Sequence, residues 1–307
     1  MYLFNVSSRS KVIAALFLSC NFLSGCGSGD SATSGSSAQR KEVSQIQSDK
    51  GSSKKAGSSS GDEFEGLNKP LRKELKTPSL SGDDDYVDVL TKLNPIRFYN
   101  AFRGWDESDE DIARSISGAI MIQHDAPELF AYETELAATD DAFHKRDLVS
   151  KVATFVKVEA SKVAGNYRVR MVVDAELKSY DFEKHRFISD NCLFSEKLEY
   201  TSDEMRNQSA FAKAQKPRCY LQPSTTNYLV GIVSGSKVRL DIADESLARM
   251  IESNRANLKY EVYGYVRFVE REKVGGKLTE MRRILIEPQK INLVARGVEQ
   301  PIYSRIF

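Results

Sequence analysis

No apolar run in this sequence is long enough to cross a bilayer. The longest, Val12 to Leu23, reads VIAALFLSCNFL and is interrupted by Ser19 and Asn21. A hydrocarbon core of about 30 Å needs about 20 apolar residues in a helix. Charge of one sign is also missing: 44 Lys and Arg stand against 43 Asp and Glu, so no basic excess marks a nucleic-acid binder. Histidine is scarce. His124, His144 and His185 fall in different segments, and none belongs to an H-E-x-x-H or H-x-E pattern. Four cysteines include no C-x-x-C pair, which argues against a structural zinc site. No G-x-S-x-G elbow, phosphate loop or dinucleotide fingerprint occurs. No cofactor or metal is therefore expected. Many catalytic sites leave no linear signature, so an enzyme remains an alternative.

What is present begins at the N-terminus. Arg9 and Lys11 precede the apolar run, and no acid occurs before Asp30. A basic start, a short apolar stretch and small residues at its end describe a secretory signal peptide. Its exit, Leu23-Ser24-Gly25-Cys26, resembles the lipobox of bacterial lipoproteins. The resemblance covers the first 26 residues only. It implies cleavage before Cys26, a diacylglycerol on the Cys26 sulfur and acylation of the new amine. Membrane attachment through Cys26 is thus expected, and several acyl chains make it lasting where one would be marginal. Gly27, rather than Asp, follows the cysteine, which in Gram-negative lipoproteins favours the outer membrane, facing the periplasm. Cys20 is a poorer site because Phe17 stands where an aliphatic residue is usual. Loss of residues 1–25 leaves 42 basic and 43 acidic residues.

Between Gly27 and Gly61, 18 of 35 residues are Gly or Ser, with no aromatic residue. Such a tract buries too little surface to offset the entropy of ordering it. Residues 62–82 stay polar. The expected organisation is a signal peptide at 1–25, a lipidated cysteine and flexible linker at 26–82, and one globular domain at 83–307. The linker spans about 40 Å as a random coil.

The domain reads as α+β: a helical N-terminal half, then an antiparallel sheet with a long hairpin and one interrupting helix. YVDVLTKL, PIRFYNAF, WDESDEDIARSISGAIMIQ, PELFAYETELAA and DDAFHKRDLVSKVATF carry helical spacing or start signals. Asp106, Asp109 and Asp111 fit a helix start better than a calcium loop, since the loop glycine and terminal Glu are missing. NYRVRMVVDAEL, YLVGIVSG and KVRLDI read as strands. KYEVYGYVRFVEREK and KLTEMRRILIE flank Val274-Gly275-Gly276 as a hairpin. Pro288 marks an end or bulge, and ADESLARMIESN is the interrupting helix.

Export to an oxidising compartment makes a Cys192–Cys219 disulfide the expectation. Two groups are candidate binding surfaces. Tyr180 and Phe182 follow a strand, where core packing competes with a ligand edge. Arg271, Lys273, Lys277, Arg282 and Arg283 crowd the hairpin tip, where a solvated charged ribbon competes with contact to anionic lipid or protein. Together these readings point to a non-enzymatic, lipid-anchored envelope protein whose tethered domain binds or scaffolds another envelope component. An exported hydrolase acting on envelope material is the alternative.

Overall fold

One hairpin sets the length of the domain. In the computed structural model, which describes residues 67–116, 118–194, 219–223, 227–298 and 300–307, it is formed by β7 (Leu258–Val274) and β8 (Lys277–Ala295). Gly275 and Gly276 join them at φ of 57° and 83°, the left-handed geometry of the tight turn that matches strand twist. At a rise of about 3.3 Å per residue the ribbon is roughly 50 Å long from open end to tip.

Shorter strands flank it. β3 (Arg168–Asp174) pairs antiparallel with β7 from Lys259 to Tyr265, and β1 (Leu71–Glu74) continues that edge from Phe268 to Arg271. On β8, β5 (Tyr228–Ile232) pairs with Arg282–Ile286, and β9 (Tyr303–Ile306) pairs with Lys290–Leu293. β2 (Val87–Asp88) lies on the outer edge of β3, and β4 (Arg186–Phe187) pairs with β6 (Leu240–Asp241) in a separate two-stranded sheet. The α+β class holds. The sheet is mixed rather than purely antiparallel, because β2–β3 and β5–β8 run parallel. Pro288 sits opposite Gly264 at a bulge, between the stretches of β8 that pair with β5 and β9. There its missing N–H is not required by a flanking strand.

Helices α1 (Asn94–Phe102), α2 (Asp109–Ile116), α3 (Pro127–Ala138) and α4 (Ala142–Ser161) follow the sequence signals. Pro95 stands in the first turn of α1. The Asp141 carboxylate accepts from the backbone N–H of Phe143 and His144 and caps α4. Ile96, Phe98, Ile112, Ile116, Val152 and Val156 are buried against the face of the sheet that carries Val169, Met171, Val262, Val266 and Ile284. Each such side chain contributes about 1.5–3 kcal/mol when fully buried. The interrupting helix, α5 (Glu245–Asn254), is capped by Asp244 and leads directly to the open end of the hairpin.

Three expectations change. YVDVLTKL is not a helix: Val87 and Asp88 pair with β3, and the Asp88 carboxylate turns the chain by accepting from the Leu90 N–H. The helix beginning at Asp109 stops at Ile116, and Gly118, at φ of 76°, starts a separate single turn. The fold begins before Asp83. Gly276 N–H donates to the Leu67 carbonyl at 2.8 Å and Gly275 N–H to Asn68 Oδ1 at 2.8 Å, so the chain is fixed at the hairpin tip before entering β1. It then crosses the sheet face away from the helices. Thr77 bonds the Tyr265 hydroxyl at 2.7 Å, Gln289 donates to the Pro78 carbonyl at 2.7 Å, and Lys290 pairs with Asp83 at 2.6 Å. Backbone pairing holds this polar segment, which composition does not register. Of the two cysteines expected to pair, Cys192 is exposed and Cys219 is buried. Residues 195–218 between them lie outside the described residues, as do Cys26 and its surroundings.

The crossing at Gly264 is the tightest in the sheet. An added Cβ would stand 2.3 Å from the Glu287 carbonyl oxygen. Gly264→Ala is expected to lose about 1–3 kcal/mol, the usual cost of overpacking. Chemical denaturation checks this, and an unchanged midpoint would contradict the close crossing.

Candidate functional site

Arginine is the first feature that the structure relocates. Arg271 and Arg282 stand directly opposite each other in the hairpin, and both are buried. Like charges so placed repel. The Glu107 carboxylate fits between them. Arg282 Nη2 donates to Glu107 Oε2 at 2.9 Å, and Arg271 Nη1 approaches Oε1 at 3.1 Å as an ion pair. Arg103 adds a third guanidinium at 2.9 Å, and the Tyr99 hydroxyl donates to Oε1 at 2.5 Å. Arg282 also donates to the carbonyls of Glu280 and Asp111, and Arg271 to that of Thr279. The carboxylate comes from the loop between α1 and α2, so this cluster fastens the helical layer to the second half of the hairpin.

The electrostatics follow from burial. Desolvation pushes the Glu107 carboxyl up, but Arg282, the Tyr99 hydroxyl and Arg271 outweigh it and hold the group below its ordinary value of 4.5. Burial, then the adjacent Glu107 charge, raises the Tyr99 hydroxyl. On the opposite face of the hairpin, Arg283 pairs with Glu270 and Glu272, and Arg72 of β1 with Glu270. Arg271, Arg282 and Arg283 are therefore internal supports rather than surface. Of the five basic residues expected at the tip, only Lys273 and Lys277 remain available to a partner; Lys277 is exposed and Lys273 half-buried.

Tyr180 and Phe182 have different fates. Tyr180 is half-buried, its hydroxyl donating to the Ile242 carbonyl at 2.6 Å and its ring 5.0 Å from buried Phe187. Core packing accounts for it. Phe182 is 79% exposed and stands edge-on to the Tyr180 ring at 5.0 Å. Its turn is tied by a bridge between Asp181 and Arg186, and the Asp181 carboxylate accepts from the N–H groups of Glu183 and Lys184. An aromatic ring is thus presented to solvent on a braced turn.

This turn lies at the open end of the long hairpin. Ala175 N–H donates to the Leu258 carbonyl at 3.0 Å, Arg255 to that of Leu177 at 3.0 Å, and Tyr180 N–H to the Glu252 carboxylate at 3.1 Å. A groove of about 460 Å³ opens nearby, lined by Asp174, Glu176, Leu177, Glu252, Arg255 and Leu258. Glu176 holds a left-handed φ of 45°, a conformation that costs a non-glycine residue about 1–3 kcal/mol. A second cavity, about 250 Å³, lies between the crossing segment and the sheet, where the Tyr265 hydroxyl donates to Glu287 at 2.8 Å. Among the described residues, no group of three or more His, Cys, Asp or Glu side chains is placed to hold a metal, and no helix is long and apolar enough to cross a membrane. The acids at the start of α2 meet cations: Asp109 pairs with Lys157, and Asp111 with Arg114 and Arg271. Ser108 supplies the cap.

Glu107, Tyr99 and Arg103 escaped sequence reasoning. The chain matches no family model, no curated protein and no solved structure.

Glu107→Gln leaves two buried guanidiniums without their common counter-charge. A loss of about 3–5 kcal/mol is expected on unfolding. The wild-type contribution is fully present above the ordinary carboxylate value and fades as pH falls through the lower folded value, because protonation then favours the unfolded chain. Denaturation between pH 7 and 3 checks both points. The variant should lack that part of the acid slope, and equal stability of the two proteins would contradict the assignment.

Proposed function

We propose that this protein is a lipid-anchored cell-envelope protein whose tethered α+β domain binds or scaffolds another envelope component. Cys26 carries the acyl chains, and the Gly/Ser-rich tract after it is the tether. In a Gram-negative host the anchor lies in the outer membrane and the domain faces the periplasm. The partner is a protein of the envelope rather than a nucleic acid, in keeping with the near-even charge.

One observation carries this reading. The tether side of the domain is fixed at the hairpin tip, where Leu67 and Asn68 bond Gly276 and Gly275. The exposed Phe182 turn and its neighbouring groove occupy the hairpin's other end, roughly 50 Å away. A domain held by its tip presents that end away from the anchor. Phe182 is suited to contact there: its exposed ring contributes little to folding, whereas an aromatic anchor dominates many interfaces.

The test has two arms in living cells. Cys26→Ala should shift the protein from the membrane to the soluble fraction. A photoreactive residue at position 182 should yield one discrete adduct with an envelope protein, while the same probe at exposed Ser150 on α4 should not. Continued membrane association of Cys26→Ala, with no lipid mass on the wild type, would contradict the anchor. Turnover of an envelope polymer, abolished by one substitution, would replace the scaffold with the hydrolase.

A further inference from the structure

We propose that the hairpin tip is itself a membrane-contact element, which docks end-on into the surface of a bilayer containing anionic phospholipid. This rests on the lipid-anchor reading for its occupant, since the anchor is what brings a bilayer to the tip.

Three apolar side chains meet there with large exposure: Leu67 at 46%, Val274 at 58% and Leu278 at 43%. Leu67 lies over the turn, its Cδ2 within 3.2 Å of where a Cβ on Gly276 would stand. The cross-strand pairs are Lys273 with Leu278 and Val274 with Lys277. Cross-strand partners share a face of the ribbon. Each face of the tip therefore carries one aliphatic residue beside one lysine. A one-sided patch would suit a flat protein surface. Apolar residues on both faces suit insertion of the end of the ribbon among lipid headgroups, with the lysine stems extending back to the phosphates.

The charges agree. Lys69, Lys273 and Lys277 form no ion pair among the described residues. Among the described residues, the neighbouring acids of the hairpin are engaged by arginine: Glu270 by Arg72, Glu272 by Arg283, and Glu280 by Arg282. The free charge of the described tip is thus cationic, although the whole chain is nearly neutral. Each lysine near an anionic surface strengthens binding about five-fold. The tip binds weakly alone and gains from the tether, which holds it close to the bilayer.

Vesicle sedimentation tests this with the chain from residue 26 onward carrying Cys26→Ala, so that no acyl chain contributes. The vesicles are phosphatidylcholine alone or phosphatidylcholine with phosphatidylglycerol. Binding to the anionic vesicles only is expected. Lys273→Ala with Lys277→Ala should lower the partition coefficient roughly 30-fold. Val274→Ser with Leu278→Ser should also lower it, and both pairs should unfold at near wild-type temperature because the sites lie at the solvent-facing tip. Absence of binding to phosphatidylglycerol vesicles would overturn the proposal. So would binding that both variants retain, which would assign it to lysines of the tether. Either failure leaves the anchor untouched, because lipid mass on wild-type Cys26 is measured separately. Conversely, an unlipidated Cys26 with intact tip binding would remove the anchor and leave the tip's lipid affinity standing.

Discussion

A single carboxylate, that of Glu107, lies between two arginines that would otherwise repel each other inside the protein. Taking these charges out of water is expensive, and their mutual attraction does little more than offset that cost. The consequence is specificity more than net stability. Arg271 and Arg282 are tolerable opposite each other only where Glu107 reaches both. That condition fixes the α1–α2 loop over one stretch of the hairpin and one register of β7 on β8. Tyr99 and Tyr228, with ring centroids 5.7 Å apart, flank the Arg282 guanidinium and complete its surroundings.

The rest of the domain hangs on that fixed ribbon. Its first half is covered by β3 and its second by β1, so the edge of β7 is shared between a central element and the segment that starts at the hairpin tip. β1 is mostly exposed, and its contribution is backbone pairing and the Arg72–Glu270 ion pair. The same short segment therefore closes the sheet edge and continues from the point where Leu67 and Asn68 are bonded to the hairpin tip. With Leu67 at the tip and the Phe182 turn at the open end, the ribbon's length separates these two features.

The sequence made the main elements legible because they obey local rules. Asp141 and Asp244 cap helices, Gly275-Gly276 makes the turn, and Pro288 marks the bulge. The arginine cluster was hidden for a geometric reason. Counting back from the Val274–Lys277 pair places Arg271 opposite Glu280. The irregularity between Arg271 and Lys273 shifts it to Arg282. That shift turns an apparent surface ion pair into a buried arginine pair, and the expected basic surface with it. Residues 71–82 misled in another way: they look like linker because their side chains are polar, while backbone bonds and single side chains hold them. Val87 and Asp88 looked helical because a two-residue strand has no period to read. Tyr180 and Phe182 share a sequence neighbourhood, but only the turn at Asp181 separates the buried ring from the exposed one.

Orientation on a membrane is the most direct test of the proposed anchoring. With Cys192 and Cys219 replaced by serine, a single fluorophore is attached at position 277 or at position 182 of the lipidated protein on a supported bilayer. Energy transfer to acceptors in the bilayer then measures the height of each end. The account predicts strong transfer from position 277 and little from position 182, with a height difference on the order of 50 Å, the length of the hairpin. Stronger transfer from position 182, or equal transfer from both, would contradict it.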